Sequence, residues 1–134
     1  MTHIPTLVLA DDDELHAELI TAWLEQQGYR VLSFGSGDAL LDWAAAVPRR
    51  VDAFLLDVDM PGRDGVQSCR ELRARGEYAR VPAVFVSAAG PAQPGVECVQ
   101  FIRKDGEMFM RLSAWLTHHL YGDALSACPG HAYA

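Results

Sequence analysis

Short apolar runs of strand length recur along the chain and are separated by segments with helical periodicity. The runs are "PTLVLA", "YRVLSF", "DAFLLD", "VPAVFVSA" and "CVQFIRK". Such an alternation buries its strands side by side and returns between them through helices, which points to an α/β fold with a parallel sheet rather than a helical bundle. "VPAVFVSA" is apolar on both faces, as a central parallel strand is. The first helix is predicted to place Leu15, Leu19, Ile20, Trp23 and Leu24 inward and to stop at Gly28. The second follows "GSG", turns Leu40, Trp43, Ala44 and Val47 inward and ends at Pro48. A third, from about Gly65 to Arg75, buries Val66, Cys69 and Leu72, and a last one from Asp105 to Tyr121 aligns Met108, Leu112, Trp115, Leu116 and His119. One crossover breaks the rhythm. The 11 residues from Ala88 to Cys98 hold Gly90, Pro91, Pro94 and Gly95, whereas a parallel crossover takes about a dozen residues or more, so a regular helix hardly fits.

The chain has 134 residues, half of them hydrophobic, which suits one domain with its own core. Its formal charge of -7 opposes binding to nucleic acid or anionic membranes, and no concentrated basic patch offsets it. The N-terminal stretch "MTHIPTLVLADDD" lacks the features of a signal segment, and no apolar run approaches bilayer length, so a soluble cytoplasmic protein is expected. Cys69, Cys98 and Cys128 are far apart with no CxxC, which argues against a disulfide framework or a zinc site. Ten of the eleven basic residues are Arg, leaving Lys104 as the single lysine.

In an open parallel sheet, ligands bind beyond the carboxyl ends of the strands. Asp11 and Asp12 follow the first predicted strand, Asp57 ends the third, Ser87 the fourth and Lys104 the fifth. Carboxylates converging there would repel one another unless a divalent cation neutralised them, and an all-oxygen set favours Mg²⁺, with Mn²⁺ the other choice. These parts fit a phosphoryl-transfer site. Asp57 is its carboxylate nucleophile, Lys104 and the cation offset phosphoryl charge, and the Ser87 hydroxyl donates a hydrogen bond. A buried strand ending in acid holds the attacking oxygen rigidly, while "MPGRDG" opens space around it. Asp13 reads as a helix cap, and His118 and His119 as surface and core-edge residues.

The sequence resembles the response regulator receiver domain of two-component signalling. The resemblance rests on the acidic pair in "LADDDE", the acceptor in "LLDVDMPGRDG", the hydroxyl in "VFVSAA" and the lysine in "FIRK", and covers Thr6 to about Leu120. It implies a doubly wound five-stranded parallel sheet of flavodoxin-like order 2-1-3-4-5. Residues 1–121 would form the domain and 122–134 a C-terminal tail, leaving no room for an output domain. It further implies that Asp11 and Asp12 bind Mg²⁺, that the Asp59 backbone carbonyl completes the metal shell, and that Asp57 accepts a phosphoryl group from a histidine kinase or phosphotransfer protein. Ser87 and Phe101 match the family's switch pair. A downstream protein is the implied partner, and self-catalysed phosphorylation and dephosphorylation are the only enzymatic activities.

The chain departs from the family at three places. Asp105 follows Lys104 where the family usually has a proline, commonly in cis; a non-proline cis bond is unfavourable by about 2.5–4 kcal/mol, so trans is expected. Asp59 adds a carboxylate two residues past the acceptor and is expected to alter the lifetime of the phosphoryl group. The family's fourth helix is shortened or absent here, which would uncover side chains of "AVFV" and "VQFI" and call for a homodimer interface or the tail as cover. Two other functions remain open from these residues. One is a pseudo-receiver that binds without phosphorylation. The other is a haloacid-dehalogenase-like phosphatase using the DxD pair Asp57 and Asp59, although two βα units precede its motif.

Overall fold

The computed structural model describes residues 3–46, 49–88 and 99–122. The elements run β1 (Thr6–Ala10), α1 (Glu14–Gln26), β2 (Arg30–Phe34), α2 (Gly37–Ala46), β3 (Ala53–Asp57), α3 (Gly65–Arg73), a 3-10 turn (Gly76–Tyr78), β4 (Ala83–Ser87), β5 (Val99–Arg103) and α4 (Met108–Tyr121). The strands form one parallel sheet in the order β2-β1-β3-β4-β5. The expected strand order is therefore observed. The shortened crossover falls on residues 89–98, which lie outside the described residues, as do Val47, Pro48 and residues 123–134 of the expected tail.

Alternate residues of each central strand face opposite layers. Leu7, Leu9, Leu55, Val84, Val86 and Ile102 pack with α1 and α4 around the fully buried Trp115. Val8, Ala10, Phe54, Leu56 and Phe85 pack with α2 and α3, against Leu40, Leu41, Cys69 and Leu72. Each large apolar side chain sealed in these layers contributes about 1.5–3 kcal/mol of transfer free energy. β3 and β4 are buried along their whole length, Phe101 is half-buried, and Ile102 is buried. The "AVFV" side chains expected to be uncovered are thus shielded.

The first helix turns differently from its sequence reading. Its buried residues are Ala17, Ile20 and Leu24, while Leu15 and Leu19 are 68% and 55% exposed. Spacings of three and four define the stripe, and residues 15 and 19 each stand about 200° from Ala17 on a helix of 3.6 residues per turn. Asp13 is the N-cap, accepting the His16 N–H at 3.2 Å. At the other end Gly28 adopts φ 98°, a left-handed conformation that glycine reaches without strain, and the Tyr29 N–H returns to the Leu24 carbonyl at 3.2 Å.

The last helix begins at Met108 instead of Asp105, because the Asp105 carboxylate accepts the Glu107 N–H at 2.9 Å and holds a turn before the helix. Its buried residues are Met108, Leu112, Trp115 and Leu116, with His119 half-buried.

The strand expected from Val81 begins at Ala83, and sequence periodicity predicts no element for residues 76–80. Here the 3-10 turn drives Tyr78 fully into the core, edge-on to Phe54 at 5.6 Å. The Arg73 guanidinium donates to the Tyr78 and Val81 carbonyls at 3.1 and 2.6 Å, binding the turn to the end of α3.

Candidate functional site

The carboxyl end of the sheet carries the predicted residues because three central strands stop there in register. Ala10 ends β1 opposite Leu56, Asp57 ends β3 opposite Val86, and Ser87 ends β4 opposite Arg103. Beyond Asp57 the loop reverses through Gly62 at φ 76° and enters α3 at Asp64. Asp64 and Gln67 form a capping box, with the Gln67 N–H reaching the Asp64 carboxylate at 2.8 Å. Gly65 lies directly against the backbone of Asp57. A Cβ there would collide with the Asp57 carbonyl oxygen and stand 3.0 Å from its carbonyl carbon. Gly65→Ala is therefore expected to lower stability by about 1–3 kcal/mol in urea unfolding, since backbone rather than a mobile side chain must yield. Wild-type stability in that variant would show that the loop has slack.

Asp11, Asp12 and Asp57 each offer a carboxylate oxygen, and these atoms all lie within 4.8 Å of one another. Asp11 and Asp57 are buried and Asp12 is exposed. Lys104 Nζ sits between the two buried groups, 3.1 Å from Asp57 Oδ2 and 3.2 Å from Asp11 Oδ2. It reaches both even with Asp105 next in sequence and with no cis peptide bond among the described residues. Its backbone N–H continues the β5 ladder, donating to the Ser87 carbonyl at 2.8 Å.

One ammonium reaches both buried carboxylates but balances the charge of only one. Burial pushes the Asp57 carboxyl up to about 6, an effect that Lys104 opposes and that the neighbouring Asp11 charge reinforces. Burial also acts on Asp11, but the Asp13 N–H at 2.9 Å, His16 and Lys104 outweigh it and hold Asp11 below the usual carboxylate range. Burial likewise opposes the charge on Lys104, yet the two carboxylates overcome this and hold its ammonium above the ordinary lysine value. Asp57 therefore carries most of the local charge conflict. A hard divalent cation bound by oxygen would relieve it, and the donor set fits Mg²⁺ or Mn²⁺.

The other predicted residues take different places. Asp59 is exposed, and its backbone N–H donates to Asp57 Oδ1 at 3.2 Å. Ser87 is buried one residue past the register partner of Asp57. Phe101 pairs in register with Phe85 and packs against the core layer beneath α2 and α3, away from α1. One neighbour escaped the sequence reading: His16 Nδ1 lies 2.7 Å from Asp11 Oδ2.

A family model described as the response regulator receiver domain matches residues 7–105. The chain is 39% identical over 80 residues to the transcriptional regulatory protein AruR of Pseudomonas aeruginosa, covering 58% of this chain and 33% of that protein. It is 32% identical over 82 residues to the protein PilH of the same species, covering 60% of this chain and 65% of PilH. The chain thus spans less than two thirds of either relative. Among solved structures, the receiver domain of the P. aeruginosa sensor histidine kinase PA1611, with magnesium coordinated in its active-site cleft, superposes with a TM-score of 0.77 at 25% identity, over 89% of this chain and 99% of that one. No helix among the described residues is long and apolar enough to cross a membrane.

Proposed function

The chain belongs to the response regulator receiver domain family, and from that premise we propose that Asp57 accepts a phosphoryl group from a histidine kinase or phosphotransfer protein. The observation that carries this reading is the meeting of Asp57 with Asp11, Asp12 and Lys104 at one end of the sheet. In the transfer, an Asp57 carboxylate oxygen bonds to phosphorus as the phosphohistidine P–N bond breaks. The electron pair stays on the imidazole nitrogen, which then takes a proton. Asp11, Asp12, Asp57 and the Asp59 backbone carbonyl would hold Mg²⁺, or Mn²⁺, which would supply positive charge toward the phosphoryl oxygens. Lys104 pairs with the same oxygens, Ser87 donates its hydroxyl to one of them, and Phe101 changes rotamer with Ser87. The slow loss of the group is hydrolysis: water attacks phosphorus, the P–O bond to Asp57 breaks, and inorganic phosphate leaves with Asp57 returned as a carboxylate.

The donor protein docks beside the acceptor, where exposed Leu15 and Leu19 offer apolar contact. Leu19 and His16 line a cleft of about 280 Å³ with Lys104, Asp105, Met108 and Phe109. The output is a contact with a downstream protein in the cytoplasm, made by residues 1–121 with 122–134 as a tail, and a homodimer is one form it takes. Asp59 stands where water reaches the acyl phosphate, so Asp59→Asn is expected to change the dephosphorylation rate. Equal decay in the two proteins would remove that role.

Intact mass after incubation with Mg²⁺ and a small-molecule phosphodonor tests the reading. It requires one phosphoryl adduct on the wild type and none after chelation. Absence of both an adduct and measurable Mg²⁺ binding would favour a phosphorylation-independent binding module.

A further inference from the structure

The Asp11 carboxylate is held on three sides before any cation arrives. Its Oδ1 accepts the Asp13 N–H at 2.9 Å, and its Oδ2 takes His16 Nδ1 at 2.7 Å and Lys104 Nζ at 3.2 Å. Two carboxylate oxygens have about four lone-pair sites, so these contacts leave one, on Oδ1. His16 is well placed to act. Its backbone N–H is tied to the Asp13 cap at 3.2 Å, and its ring stands in the first turns of α1 with the side chain only 21% exposed. A carboxylate oxygen at 2.7 Å accepts, so Nδ1 carries the proton of this pair.

We propose that His16 is a positioning residue for divalent-cation binding: by donating Nδ1–H to Asp11 Oδ2, it fixes the plane of that carboxylate and keeps its remaining lone pair available to the cluster with Asp12 and Asp57. The inference rests on reading those three carboxylates as the cation site. Lys104 shares Asp11 with Asp57, whereas the described contacts of the His16 ring are with Asp11 alone. His16 therefore holds Asp11 whether Lys104 turns toward Asp57 or toward a phosphoryl group. A hydrogen-bonded carboxylate ligand of this kind loses about 10- to 100-fold in metal affinity when its outer partner is removed.

The test is calorimetric titration of the full chain with Mg²⁺, and separately Mn²⁺, at about pH 8, where Asp57 is ionised. His16→Leu is expected to weaken binding by about tenfold or more, and His16→Asn, whose amide N–H can take the place of Nδ1–H, to stay within about threefold of the wild type. Melting of the metal-free proteins separates this from a general loss of structure. If the leucine variant does not fold, His16→Gln replaces it, because its longer side chain places the amide nearer the Nε2 position and is expected to bind weakly. Wild-type affinity in the leucine or glutamine variant, or equal weakening in the asparagine variant, would overturn the positioning role. A wild type that binds neither cation would overturn the cation site itself.

Discussion

Asp57→Asn is expected to be more stable than the wild type in metal-free buffer at about pH 8, by about 1–3 kcal/mol in urea unfolding, and to take no phosphoryl group. The sign follows from burial. The folded-state carboxyl is raised to about 6 from 3.8, so between these values the folded protein binds more protons than the unfolded chain. Stability from this group therefore falls as pH rises through that window, and the full penalty is present above it. The amide removes a charge whose site already holds another buried carboxylate, and its advantage should shrink as pH falls from about 6 to 3.8 and be absent at lower pH, where Asp57 is protonated in both states. Mg²⁺ should narrow the gap at high pH by stabilising the wild type selectively. An asparagine variant no more stable than the wild type at about pH 8 would mean that Asp57 is better compensated than its surroundings indicate.

Lys104→Met is expected to act in the opposite direction. Its ammonium bridges the Oδ2 atoms of Asp57 and Asp11 at 3.1 and 3.2 Å, with its side chain 14% exposed. Removing it leaves two buried carboxylates facing each other, and breaking a buried pair in this way destabilises by about 3–5 kcal/mol, reduced here to about 2–4 because the site opens to solvent at Asp12. The loss should be smaller at about pH 5, where Asp57 can take a proton, and Mg²⁺ should recover part of it. Phosphoryl acceptance should fall by about 100-fold, since a fixed positive charge is lost from the oxygens that develop charge. Wild-type stability and rate in this variant would show that the lysine is solvated rather than engaged.

The sequence exposed most of this site because a parallel sheet carries its ligand groups at strand ends. Asp11, Asp57, Ser87 and Lys104 each follow a recognisable apolar run, so finding the strands placed the residues. The first helix was harder to orient. Leu15 and Leu19 outweigh Ala17 in hydrophobicity, yet the small alanine faces the sheet and the leucines face solvent. Tertiary packing chose the stripe. His16 gave no signal, because a lone histidine five residues from an aspartate becomes a neighbour only once the loop and cap of α1 have folded. The turn that buries Tyr78 was illegible for another reason: a 3-10 segment of three residues has no period to detect.

The chemical identity of the acceptor can be read on the wild-type chain itself. After phosphorylation with Mg²⁺ and a small-molecule phosphodonor, borohydride reduces an acyl phosphate to an alcohol, converting the modified aspartate to homoserine that peptide mass spectrometry can locate. The expected result is homoserine at Asp57 alone, absent when the cation is chelated. Homoserine at Asp11, Asp12 or Asp59, or phosphate retained on a histidine or serine, would contradict Asp57 as the phosphoryl acceptor.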